Sequence, residues 1–256
     1  LSPYNIGVQS SMSKLPLNLI VFCTTMGHSG RHTYKDSITN LYGKMDSNLF
    51  ANKVLHLKTR YGEESVADEI KEFCNSVNIR VIESKESIVH HSENHSSHSA
   101  GYFKDIYKSY SDLDIRKQKY SFWLEDDMLL QVNKVTLEDS FKKSIEFLDN
   151  NPDQLCVRFN LAEEFKDDDS DYLVEDENIF TQAINYTQYG PTFTFQPNVS
   201  RTSEIFLAWK TAQKYLDKLG SYHCELVSGE ILKKMSNSNT PFSFFNPSKA
   251  YSKHIG

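Results

Sequence analysis

Cysteine is scarce in this chain, and its four copies (Cys23, Cys74, Cys156 and Cys224) stand far apart with no CxxC pair among them. That spacing offers neither a zinc framework nor a disulfide scaffold. The apolar runs around Cys23 and Cys156 predict reduced, buried thiols acting as small hydrophobes. Long hydrophobic runs are missing as well. The longest, Leu19 to Cys23, falls far short of the roughly 20 residues a membrane-spanning helix needs. No signal peptide is visible, so the sequons at Asn94, Asn185 and Asn198 carry little weight. Nor is there a basic stripe. With 34 acidic against 28 basic residues and a net charge of −6, the chain is expected to have no nucleic-acid partner, because phosphate backbones are gripped by clustered Lys and Arg. An acidic protein still binds an anionic nucleotide if a metal supplies the positive charge. The first residue is Leu1 rather than Met, which suggests an excised domain or a part of a larger multidomain protein. For this fragment the expected location is cytoplasmic.

What is present is ordinary globular material, 39% hydrophobic and 24% charged over 256 residues. That is enough for one α/β domain with a proper core. Leu17 to Cys23 has no helical period and ends in Thr24-Thr25-Met26-Gly27-His28, which reads as a buried parallel strand entering a loop. A helix is predicted over Tyr34 to Leu41 and a strand over Lys53 to Leu57. The next helix has Ser65 as N-cap and runs to Val77, before a strand at Arg80 to Glu83. A polar segment, 84–99, precedes a helix over Tyr102 to Tyr110 and a strand over Tyr120 to Leu124. Such alternation predicts a mostly parallel sheet with helices on both faces, whose ligands gather at the carboxyl ends of the strands. The second half is less regular. A helix is expected over Leu137 to Leu148, strands over Gln154 to Leu161 and Thr192 to Gln196, and a helix over Glu204 to Leu219. The acidic run from Glu163 to Glu177 reads as an exposed loop; its Asp-rich start lacks the Gly and Glu of a calcium loop, holding Tyr172 and Asn178 there.

The feature that carries chemistry is Phe122-Trp123-Leu124-Glu125-Asp126-Asp127-Met128, an apolar strand that stops in three consecutive carboxylates. Taken alone, this is an acidic turn in solvent. A divalent cation relieves the crowding of like charge equally well, since Mg²⁺ and Mn²⁺ take oxygen ligands from one or two carboxylates plus substrate phosphates. Glu125 and Asp127, two apart, point one way in an extended segment and Asp126 the other. His90-His91-Ser92-Glu93-Asn94-His95-Ser96-Ser97-His98 has no cysteine or HExxH partner to make a zinc site.

Glu125-Asp126-Asp127 resembles the metal-binding acidic motif of the GT-A glycosyltransferases, and so does the ending Asn246-Pro247-Ser248-Lys249-Ala250-Tyr251-Ser252-Lys253-His254-Ile255-Gly256. The first position of the motif is Asp in many members, where this chain has Glu125. The resemblance implies one GT-A-like α/β domain over 1–256, with a Rossmann-like nucleotide-binding half at about 15–130 and a less regular acceptor half at about 131–256. It implies Asp127 and His254 as ligands to Mn²⁺ or Mg²⁺. Thr24, Thr25, Glu125, Asp126, Arg201 and Lys249 would contact a UDP- or GDP-linked sugar. Glu225, ahead of a helix over Leu226 to Met235, would be the base that takes the proton of an acceptor hydroxyl on a glycan or other acceptor, with Glu230 as the fallback. The implied activity is metal-dependent glycosyl transfer with inversion. A retaining transferase or a nucleotidyltransferase on the same fold, or an inactive sugar-binding module, are the alternatives.

Overall fold

A computed structural model describes residues 14–27, 31–85, 113–159, 173–175, 180–183, 196–219, 231–232, 234–236, 242–245 and 252–255. In chain order the first half holds β1 (Leu17–Thr24), α1 (Tyr34–Lys44), β2 (Asn52–Thr59), α2 (Glu64–Ser76), β3 (Arg80–Lys85), α3 (Leu113–Arg116), β4 (Tyr120–Glu125) and β5 (Met128–Leu130). The second half holds α4 (Lys134–Asn150), β6 (Cys156–Arg158), β7 (Leu173–Glu175), β8 (Phe180–Ala183), β9 (Asn198–Arg201), α5 (Thr202–Leu219), β10 (Phe242–Phe245) and β11 (Ser252–His254).

Among the described residues, nine strands form one sheet in the order β3-β2-β1-β4-β9-β6-β10-β8-β7, and β11 pairs with β5 in a separate ribbon. Neighbours β3, β2, β1 and β4 are all parallel. Only β8 and β9 run against the common direction, so the central sheet is mostly parallel. Both faces are covered. Leu17, Leu19, Val21 and Cys23 alternate toward α1, α2 and α4, joining Ile38, Ile70 and Phe141 in one core. Ile20 and Phe22 point the other way, with Trp123, toward Ile205 and Trp209 of α5. There Phe22 stacks on Trp123 at 5.3 Å between ring centroids, and Trp209 meets Trp123 edge-on at 4.9 Å, a geometry that aromatic quadrupoles favour.

Several local expectations are corrected. The N-cap of α2 is Glu63 rather than Ser65; its side chain makes no cap hydrogen bond and instead accepts from the Thr25 hydroxyl. The helix ends where Asn78 adopts φ 57°, a left-handed conformation that asparagine tolerates. Of the strand expected over Gln154 to Leu161, the described residues form strand at Cys156–Arg158, and 160–161 lie outside the described residues. Within the run expected to be loop, Leu173–Glu175 pairs with β8 as an edge strand. Asn198–Arg201 is itself a strand, wedged antiparallel between β4 and β6. The helix over Tyr102 to Tyr110 and the residues Thr192 to Phe195 lie outside the described residues.

Strand order places the site. From β1 the chain crosses through α1 to β2 on one side, and later returns to lay β4 on β1's other side. The carboxyl ends of β1 and β4 therefore flank a topological switch point, the position where open α/β sheets leave a crevice for ligands.

Candidate active site

Two loops meet at that switch point. After β1, Thr25-Met26-Gly27 turns sharply. The Thr24 hydroxyl accepts the Met26 N–H at 3.1 Å. Gly27 has φ +62°, and a Cβ there would stand 2.3 Å from the Arg31 carbonyl oxygen, so only glycine fits. Thr25 is buried; its hydroxyl donates to Glu63 Oε2 at 2.6 Å and accepts the Arg60 N–H at 2.9 Å. The Thr25 hydroxyl thus ties the β1 loop to the β2–α2 connection. Thr24 is half-buried and shapes the turn.

After β4 comes the acidic turn. The β1–β4 ladder continues one step into it through Asp126 N–H to Phe22 O at 3.0 Å. Glu125 is half-buried and Asp127 is 8% exposed. The Asp126 carboxyl sits beside the Cys23 thiol. Burial pushes its pKa up to about 7; the Asp127 charge adds to the rise, while hydrogen bonds from Cys23 and from backbone N–H groups oppose it. The Cys23 thiol is itself driven well above its ordinary range by burial and then by Asp126. The half-buried Asp126 carboxyl is thus turned toward the Cys23 thiol.

The last described strand closes the other side of the turn. His254 pairs with Met128 and Lys253 with Leu129 in an antiparallel ribbon. Beyond them the Ile255 N–H donates to the Asp127 carbonyl at 2.8 Å. Residues more than 120 positions apart in sequence, expected to share a metal, are thus adjacent along the backbone. The His254 imidazole, Lys249, Glu225 and Glu230 lie outside the described residues. Among the described residues no three His, Cys, Asp or Glu side chains converge as a complete metal cage. Two carboxylates at a strand end nevertheless fit the hard-cation pattern, in which phosphate and water oxygens fill the remaining positions.

Arg201 is where the expectation fails. It pairs with Tyr120 at the amino end of β4, the full length of the strand from Glu125. Its guanidinium is buried, donating to the carbonyls of Gln154 at 2.9 Å, Asn151 at 3.2 Å and Leu148. Since Leu148 and Asn151 end α4, Arg201 closes the C-terminus of that helix and cannot reach a ligand at the switch point.

Thr33, Ser37 and Asn40 were absent from the sequence expectations, yet Thr33 and Ser37 hold the acidic turn and Asn40 holds β5 just after it. The signal was available: polar residues at 33, 37, 40 and 44 repeat with helical spacing, one position ahead of the apolar set Tyr34, Ile38, Leu41 and Met45.

No family model and no curated protein matches the chain by sequence. Among solved structures, S. aureus TarS is similar with a TM-score of 0.50 at 13% identity, over 94% of this chain and 36% of that one. The fold is GT-A-like. TarS 1-349 gives a TM-score of 0.48 at 13% identity, over 92% of this chain and 59% of its own. The inositol-1-phosphate CTP transferase from T. maritima gives 0.48 at 10% identity, over 93% of this chain and 88% of its own. This chain thus spans little more than a third of the longer TarS structure and less than two thirds of the shorter.

Proposed function

We propose that the chain is a glycosyltransferase that moves a sugar from a nucleoside-diphosphate donor to an acceptor hydroxyl, with a divalent cation at the acidic turn. The observation that carries this reading is the pairing of β11 with β5, which brings the backbone of His254 beside Asp127 at the switch point of the sheet. Asp127, with Glu125 and His254, would hold Mn²⁺ or Mg²⁺. The cation's contribution is to offset the charge that develops on the departing diphosphate. Glu225 would take the acceptor's proton as the acceptor oxygen bonds to the anomeric carbon, while the bond from that carbon to the diphosphate oxygen breaks on the opposite face. The β1 loop, narrowed by Gly27, would lie along the nucleoside, and Lys249 would meet its phosphates.

The test is hydrolysis and transfer assayed with UDP- and GDP-linked sugars, with and without Mn²⁺. Metal-dependent turnover that disappears in Asp127→Ala is expected, together with loss of Mn²⁺-dependent nucleotide binding. Binding undiminished in Asp127→Ala would remove that residue from the metal, and the absence of nucleotide binding by the unaltered chain would sink the proposal. Release of cytidylyl groups from CTP would favour a nucleotidyltransferase instead.

A further inference from the structure

One helix holds the acidic turn along its whole length, by the turn's backbone rather than its side chains. The Thr33 hydroxyl donates to the Asp126 carbonyl at 2.9 Å. The buried Ser37 hydroxyl lies 3.2 Å from the Glu125 carbonyl and 2.8 Å from that of Met128, bracketing the carboxylates at both ends. The Asn40 amide oxygen accepts the Leu130 N–H at 2.7 Å, and the Lys44 ammonium donates to the Val132 carbonyl at 2.8 Å. These four residues follow the helical spacing that puts them on one face of α1 and its N-cap.

Two of them forgo the partners their types ordinarily take. Thr33 occupies the N-cap of α1 yet makes no side-chain cap, although a threonine there normally accepts an N–H of the first turn. Ser140, Ser144 and Thr211 spend their hydroxyls on the carbonyl four residues back in their own helices, the local habit of such residues. Ser37 instead donates across to the acidic turn. Both hydroxyls thus serve a distant segment in place of their own helix.

We propose that this polar seam of α1 sets the orientation of the Glu125 and Asp127 carboxylates, with Ser37 and Thr33 as its positioning residues; as a statement about metal binding it rests on the functional reading above. With the Asp126, Asp127 and Met128 carbonyls held from outside, by Thr33, by the Ile255 N–H and by Ser37, the carboxylates project from a fixed backbone. A cation site gains affinity from such preorganisation. Because α1 follows directly on the β1 loop, the seam also ties the nucleoside side of the crevice to the acidic side.

The experiment titrates Mn²⁺ by electron paramagnetic resonance in the presence of UDP and, separately, GDP, and follows amide hydrogen exchange of residues 126–130 in the metal-free chain. Ser37→Ala and Thr33→Val are expected to weaken Mn²⁺ binding by about ten-fold or more, the scale of lost outer-shell partners, and to speed exchange of the turn. Thr33→Ser keeps the hydroxyl and is expected to behave as the unaltered chain. Ser140→Ala, which removes an equally buried hydroxyl from α4, is expected to leave both readouts unchanged. Unaltered Mn²⁺ affinity and exchange in Ser37→Ala would overturn the proposal while leaving the functional reading intact. If the unaltered chain binds no Mn²⁺ with either nucleotide, the functional reading fails, and exchange alone decides whether the seam holds the turn.

Discussion

Asp126 shows how one half-buried carboxyl gives the site a pH signature. An unfolded aspartate titrates near 3.9, whereas burial raises the folded group to about 7. Between those values the folded chain holds a proton that the unfolded chain has released. Its contribution to stability is therefore largest below about pH 4 and declines as pH rises toward about 7. In the metal-free chain, Asp126→Asn should abolish this part of the decline, seen as a smaller loss of urea midpoint between pH 5 and pH 8. Equal losses in both proteins would show that the carboxyl is not desolvated as described. Gly27 gives a second residue-scale prediction. Gly27→Ala must push a methyl into the Arg31 carbonyl and adopt a strained φ, so the β1 loop should open and nucleotide affinity fall, with a small loss in thermal midpoint. Nucleotide affinity equal to that of the unaltered chain would place the nucleoside elsewhere. The need for a tight turn after β1 was legible in Gly27; the turn of Asp126 toward Cys23 was not. Alternation along a strand predicts that Asp126 opposes its neighbours, but not that the opposite side holds the Cys23 thiol.

Among the elements, Arg201 separates what helices and strands say about themselves from what they say about each other. The family resemblance put Arg201 on the nucleotide-linked sugar. The register of β9 on β4 instead sends it to the amino edge of the sheet, under the end of α4. Tyr120 and Asp149 complete this corner: the Tyr120 hydroxyl donates to Asp149 Oδ1 at 2.7 Å, and Lys119 pairs with the same carboxylate. Arg201→Met should therefore destabilise the fold by about 3 kcal/mol, because buried carbonyls lose their donor. Nucleotide binding at a temperature where the variant remains folded should be unchanged. Arg201→Lys should not rescue it, since one ammonium cannot reproduce the guanidinium fork. Weakened nucleotide binding with full stability would return Arg201 to the ligand site. The elements readable from sequence are those long enough to show a pattern: β1, α1, β2, α2, β3, β4, α4 and α5, with β6 inside a longer expected strand. Strands β7, β8, β10 and β11 have only three or four residues each, too few for alternation to register.

For the whole molecule, the candidate site is an assembly of three stretches that only the fold brings together: the β1 loop with α1, the β4–β5 turn, and the β11 strand. The acidic triplet and His254 are legible as partners in the sequence only by resemblance. Their meeting is not, because a three-residue ribbon pairing Lys253 with Leu129 has neither hydrophobic period nor turn signal. The nine-stranded sheet does not include β11, so its loss should spare the core while stripping one wall from the acidic turn. Deleting residues 252–256 should leave the far-ultraviolet circular dichroism spectrum nearly unchanged and lower the thermal midpoint by only a few degrees. Mn²⁺-dependent nucleotide binding should fall by at least about ten-fold. His254→Ala separates the two contributions of this strand. If the imidazole is the strand's whole contribution, the point variant should bind as weakly as the deletion. If the hydrogen bond from Ile255 to the Asp127 carbonyl also fixes the turn, the deletion should bind more weakly than the point variant and should alone accelerate amide exchange at residues 126–130. Full Mn²⁺-dependent binding by the deletion variant would mean that β11 lies beside the acidic turn without serving it.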